Sequence, residues 1–312
     1  MRYIGKKLIT MLVTVLIVTL LVFFAFRVIP GDPAVNMLGI KATPEKVERL
    51  REQMGLNRPL IIRYLEWLKD FFFGDMGKSY SYGSSVSDML KSKIPITVAL
   101  TLISFLFVIA IAIPLGIHTA KHEDKWYSKV LDVLNQIMMS VPPFFIGMLL
   151  TYLFGIILRW FTPGGYVSYR DSFAGFISYL ILPSLAIAIP KAAMTNKLLK
   201  SSLLKESRLD YVRTAYSRGN STSEVLYKHV LKNAMIPVIT FLGMTLADIV
   251  AGSLIVEQVF SIPGIGRLLI TSISNRDYPV VQAIITIIAC IVILNNFIVD
   301  VLYKMIDPRI SR

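Results

Sequence analysis

Few residues in this sequence have the types and spacing that chemistry needs. His118 and His122 are four apart with Glu123 beside the second, a spacing that can hold a metal on one helix face. Lys121 sits between them in a basic stretch, so the trio reads as the solvated end of a helix. Asp248 and Asp300 lie inside apolar runs, and Glu257 ends one. Ionisable groups in such runs are costly and mark candidate sites. Asp248 stands twelve residues after Ile236, or ~18 Å along a helix, which is mid-membrane depth. It is either a lining group of a cavity between helices, attracting a cation or an amino terminus, or an acid hydrogen-bonded between packed helices. Asp300 and Asp307 stand near the end of the last run, where Lys304 and Arg309 offer partners. A polytopic membrane enzyme would need paired catalytic groups at matching depth; Asp248 and Asp300 differ in depth and span. There is no phosphate-cradling G-x-x-x-x-G-K-[ST] and no Ser/His/Asp or metalloprotease pattern. The chain binds no ATP by that route.

The elements that must position these groups are membrane helices. The chain is 54% hydrophobic and 17% charged, with mean hydropathy +0.62; a soluble domain is about 25% charged. Apolar runs of ~20 residues cross ~30 Å of hydrocarbon, and none shows the ~10-residue alternation of an outer-membrane barrel. We place six spans, at 8–29, 97–119, 131–157, 177–196, 236–256 and 280–303. The net charge of +13 reflects Lys and Arg gathered in cytoplasmic loops; no basic, aromatic-interleaved stretch asks for nucleic acid. Cys290, the single cysteine, lies in the last run and reads as packing. The first run exceeds a signal peptide's apolar core and lacks a cleavage site, so it reads as a retained span.

Arg2, Lys6 and Lys7 open the chain and Lys304, Arg309 and Arg312 close it, so both termini are expected in the cytoplasm. Segment 197–232 holds eight Lys or Arg against three acids and should be cytoplasmic, as should 120–130. Segment 31–93 has ten against eight, is long, and suits the outside. In it Thr43, Pro44 and Gly55 delimit one helix. A second should present Leu60, Ile61, Tyr64, Leu65, Leu68, Phe71 and Phe72 on one face, against the membrane surface or the spans. The expected division is a first span (1–30), an external segment (31–95) and a five-span core (96–312).

The polar stretch at 210–237 is more organised than a connector requires. Val212, Ala215, Tyr216 and Gly219 recur at helical spacing, and Gly219 can end the helix in the left-handed conformation. Ser221-Thr222-Ser223-Glu224 is a capping box that starts a second helix. That helix should turn Val225, Leu226, His229, Val230, Asn233 and Ala234 inward before Pro237 at the mouth of span five. Ala215 and Gly219, both small, would permit close approach of another body. Physics alone leaves two readings open: a docking element, or a solvated hairpin packed only on its own spans.

The hairpin resembles the EAA loop of ABC importer permeases. "RVIPGDPA", "GLNRP", "GDMGKS", "SVPPFFIG", "DYVRTAYSRG", "HVLKNAMIPV", "VEQVFSIPGIGRL", "NRDYPVVQ" and "VDVLYKMIDPRI" follow in order and are similar to the B-type subunit of the oligopeptide/dipeptide/nickel permease family, over nearly the whole chain. The resemblance implies an all-α polytopic membrane protein of the bacterial inner membrane, with its coupling loop at 197–236. It implies peptide import, with nickel or a metal chelate as the alternative. The implied partners are a second homologous permease, two ATPase subunits that hold ATP and Mg, an external binding protein and membrane lipid. This chain would hold no cofactor or metal and catalyse nothing. ATPase coupling would fall to Asp210, Val212, Arg213, Ala215, Tyr216, Arg218, Gly219 and Glu224. The substrate path would include Asp248 and Glu257, and an outer gate Gly252, Pro263, Gly264 and Gly266. Two departures stand out: the family's Ala-Arg-Ala-Lys-Gly is Ala-Tyr-Ser-Arg-Gly at 215–219, and two family arginines are Lys197 and Lys200. Lysine cannot make the bidentate contacts of arginine.

Overall fold

A computed structural model describes residues 2–28, 33–38, 43–53 and 55–306. The expected partners of Asp300 and Asp307, namely Lys304 and Arg309, lie outside the residues whose side chains are described. Fourteen α-helices are found among the described residues: α1 (Arg2–Val28), α2 (Pro33–Leu38), α3 (Pro44–Gln53), α4 (Leu60–Phe72), α5 (Val86–Lys91), α6 (Ile94–Lys121), α7 (Trp126–Ser140), α8 (Pro143–Leu150), α9 (Phe173–Ser207), α10 (Asp210–Ser217), α11 (Thr222–Glu224), α12 (Leu231–Val259), α13 (Ile265–Ser274) and α14 (Tyr278–Ile306). Two π-helical segments, Thr151–Ile157 and Val225–Val230, extend α8 and join α11 to α12. The protein is all-α and polytopic.

Among the described residues, five unbroken helices are long and apolar enough to cross a membrane: Ile4–Phe26, Val86–Lys121, Phe173–Ser207, Thr222–Val259 and Tyr278–Val301. The run expected as a span at 131–157 is bent by 105° between α7 and the segment Pro143–Ile157, and makes a sixth span if the pair is counted as one. Its cause is Val141-Pro142-Pro143. A residue before proline is pushed to extended backbone, and Val141 and Pro142 have ψ of 125° and 144°. Pro114, Pro183, Pro190 and Pro237 are instead accommodated inside helices.

The chain forms two compact units. The first holds residues 1–96 and 263–294. Its core joins Phe71 of α4, Val86 and Leu90 of α5, Ile265 and Leu268 of α13, and Val280, Ala283 and Ile284 of α14. Helix α1 docks on α4 through Phe23, whose ring meets Tyr64 at 5.5 Å and Trp67 at 5.7 Å, and through a 3.0 Å hydrogen bond between Thr19 and Tyr64. The face of α4 therefore differs from expectation. Tyr64, Trp67 and Phe71 turn inward, while Leu60, Ile61, Leu65 and Phe72 are exposed on the chain.

The second unit holds residues 97–262 and 295–312. Its centre is α9, against which α7, α8 and α12 pack. Close approach depends on glycine at Gly243, where an added Cβ would collide with Val299; Asn295 also donates to the Gly243 carbonyl at 2.8 Å. A Cβ at Gly252, one of the gate candidates, would meet nothing within 4 Å.

Candidate functional site

The hairpin leaves α9 after only Arg208 and Leu209. Asp210 opens α10, where an acid complements the helix dipole. Val212 and Ala215 are buried, Ala215 being 6% exposed, and α10 packs on the π-turn Val225–Val230. Ala215 thus faces its own chain, not outward as its size suggested. The outer edge is Arg213, Tyr216 (47% exposed), Ser217, Arg218 and Gly219. Gly219 has φ of +83°, a conformation that side chains with a Cβ rarely adopt. Asn220 Nδ2 donates to the Ala215 carbonyl at 3.0 Å and closes the helix end. The capping box forms as expected: Ser221 Oγ accepts from the Glu224 N–H at 3.3 Å, and Glu224 Oε2 accepts from the Ser221 N–H at 3.2 Å.

Tyr211 fastens this hairpin at both sides. Its hydroxyl donates to Glu206 at 2.9 Å and accepts from Asn233 Nδ2 at 3.2 Å. Burial pushes the phenol above its usual range, so it stays a protonated donor. The π-turn changes which residues face inward. Val225, Val230, Ala234 and Val238 are buried, a step of five and then steps of four, while His229 and Asn233 are exposed. Continuous α-helical spacing would have placed those two inside.

Deeper in the second unit, Asp248 of α12 pairs with Lys191 of α9 at 2.7 Å. The Asp248 side chain is 64% exposed on this chain and that of Lys191 20%. Both lie within apolar helices, and lipid would be a costly neighbour for such a pair. Lys191 was overlooked in the sequence. Its signal was a cation directly after Pro190 in an otherwise apolar run. Two further lysines of α9 reach α7: Lys197 Nζ donates to Gln136 Oε1 at 2.8 Å and Lys200 pairs with Asp132 at 2.6 Å.

Glu257 near the end of α12 is fully buried and accepts from Thr97 Oγ1 at 2.5 Å. Helix α12 then stops in a tight turn: Ser261 adopts φ of +55° and the Ile262 N–H returns to the Glu257 carbonyl at 2.8 Å. Tyr179 donates to the Phe260 carbonyl at 2.6 Å. Pro263 opens the stretch belonging to the first unit, Gly264 is extended, and Gly266 is buried in the first turn of α13.

Long apolar helices, a capped polar hairpin and an ion pair inside the spans define a multi-pass membrane protein with a structured polar loop. Residues 112–312 match the family described as the binding-protein-dependent transport system inner membrane component, and residues 1–101 match its N-terminal family. The chain belongs to this family of permeases of ABC import systems. It is 34% identical over 308 residues to the "Probable peptide ABC transporter permease protein y4tP" of Sinorhizobium fredii, covering 99% of this chain and 98% of that one. It is 35% identical over 315 residues to the oligopeptide transport system permease protein AppB of Bacillus subtilis, covering 99% of each. The glutathione transport system permease protein GsiC of Salmonella choleraesuis is 36% identical over 310 residues, again covering 99% of each.

Proposed function

We propose that this chain is one of two permease subunits of an ATP-driven importer in the bacterial inner membrane and that its cargo is peptide. The observation that carries the reading is the hairpin. It is capped, tied through Tyr211 to α9 and α12, and joined to α9 without slack. Two ATPase subunits, holding ATP and Mg, would press on its outer edge at Arg213, Tyr216, Arg218 and Gly219. Asp210 and Glu224 would hold the ends of its helices, and buried Val212 and Ala215 would transmit the push. Closure of the ATPases would favour one of two states of the path, because ATP binds that state more tightly. Asp248 and Lys191 would line that path, and Glu257 with the turn through Pro263, Gly264 and Gly266 would lie at its outer end. Cargo would arrive on an external binding protein, and both termini would be cytoplasmic.

Peptide is preferred to nickel because relatives at similar identity are named for peptide, oligopeptide and glutathione transport. The test is the purified complex with Gly219→Val. It should assemble normally and lose ATP hydrolysis stimulated by loaded binding protein. Undiminished stimulation would make the hairpin a solvated connector. Uptake of labelled dipeptide and of nickel into proteoliposomes separates the two cargoes.

A further inference from the structure

In the first unit, the turn at 55–58, one face of α4, residues 75–80 and the first turns of α14 line a half-open pocket of about 670 Å³. That lies within the roughly 300–1,000 Å³ of small-molecule sites. Gln282 of α14 forms part of its wall, is 5% exposed, and its Nε2 has no hydrogen-bond partner among the described residues. A buried donor without an acceptor is costly to keep. Arg63 of α4 also lines the pocket, half-buried, with Nη1 donating to the Leu56 carbonyl at 3.2 Å. Among the described residues no carboxylate pairs with it. Burial lowers its guanidinium from the ordinary range, with Tyr80 acting the opposite way. Gln282 Nε2 thus lacks an acceptor, and Arg63, tied by one N–H to Leu56, lacks an anionic partner among the described residues, both in the wall of one half-open pocket. Elsewhere in the wall, Glu66 is engaged by Arg58 at 2.8 Å, whereas Asp70 is exposed and outside any ion pair among the described residues. Trp67 and Tyr80 add aromatic surface.

We infer that this pocket binds short peptides, with the C-terminal carboxylate on Arg63 and Gln282 and the amino terminus toward Asp70. A carboxylate supplies an acceptor for Gln282 Nε2 and an anionic partner for Arg63, and a charge-assisted bond to arginine is among the stronger ones. The ammonium end answers the free acid, and the aromatic rings take apolar side chains. The inference rests on the peptide reading above and adds a second place on the chain where cargo is held.

The test uses the complete transporter in phosphatidylcholine nanodiscs without binding protein, titrated with dialanine and with dialanine amide while tryptophan fluorescence is followed. Dialanine should bind saturably and the amide at least ten-fold more weakly. Arg63→Gln and Gln282→Leu should each weaken dialanine at least five-fold; the second leaves the Arg63 tie to Leu56 untouched. Equal binding of acid and amide, unchanged affinity in both variants, or no binding at all would overturn the site. So would loss of dialanine binding when phosphatidylethanolamine is added, since a lipid headgroup would then be the occupant. Binding-protein-dependent dipeptide uptake by wild-type proteoliposomes is measured in parallel. Uptake without saturable binding removes this site alone, whereas absence of peptide uptake removes the peptide reading as well.

Discussion

The buried carboxylate of Asp277, just before α14, is held by the loop that begins at Ser79. Ser79 Oγ donates to Asp277 Oδ2, and the N–H groups of Tyr80 and Ser81 donate to the same carboxylate at 2.9 and 3.3 Å. Ser79 is itself fully buried, while Ser84, five residues on, is exposed. In a Cys290→Ala background, Ser84→Cys should react with an impermeant thiol reagent in intact cells, and Ser79→Cys only after denaturation. Ser223→Cys should need permeabilised cells. Labelling of Ser223→Cys from outside would invert the topology.

Arg276, preceding Asp277, adopts φ of +54° so that the Asp277 N–H can reach the Ser272 carbonyl at 2.8 Å. The left-handed conformation costs a residue with a Cβ about 1–2 kcal/mol. Arg276→Gly should therefore raise the thermal midpoint of the purified complex, with a gain of about 0.5–1 kcal/mol once glycine's added freedom in the unfolded chain is counted. Arg276→Val should lower it.

Lys191 and Asp248 make charge-exchange experiments possible. Asp248→Asn should cut peptide uptake at least ten-fold while the complex still assembles. Lys191→Asp with Asp248→Lys should restore assembly lost in either single reversal. If the exchange also restores full uptake, the pair is only a helix clamp; a persistent uptake defect places it in the path.

Tyr216 and Ala215 are neighbours with opposite exposures, and their substitutions should fail differently. Tyr216→Ala should leave expression and melting unchanged and lower binding-protein-stimulated ATP hydrolysis several-fold. Ala215→Trp should instead disturb the hairpin's own packing, costing about 1–3 kcal/mol as overpacking does. Reduced subunit recovery from the membrane reads that cost.

Gly243→Val should destabilise the complex by a similar amount, about 1–3 kcal/mol, because Val299 occupies the space its side chain needs. Val299→Ala in the same chain should recover part of the loss. Absence of any recovery would mean that the Asn295 bond to the Gly243 carbonyl, not the side-chain collision, limits this contact.

Local signals in the sequence transferred well. The Ser221–Glu224 box and the positive φ of Gly55 and Gly219 are where residue type placed them. What escaped depended on partners distant in the chain. Trp67 turns inward because Phe23 is there to receive it, and Asp248 gains Lys191 from 57 positions away. Periodicity also failed where the helix changed type: the π-turn at Val225–Val230 adds a residue and shifts His229 and Asn233 outward. The 105° bend at Val141-Pro142-Pro143 was legible from proline chemistry, but the apolar run concealed it.

Three of the four lysines of α9 have a mechanical meaning. Lys191 grips α12, while Lys197 and Lys200 grip α7 at successive heights along one helix. From Pro190 to Ser207 that helix is roughly 25 Å long at its ordinary rise, and only Arg208 and Leu209 separate its tip from α10. Under the coupling proposed above it would be a lever arm with a fastened shaft and only two residues at its handle, so a displacement of the hairpin by a few ångströms would be delivered to α7 and α12 at once, not dissipated in a loop.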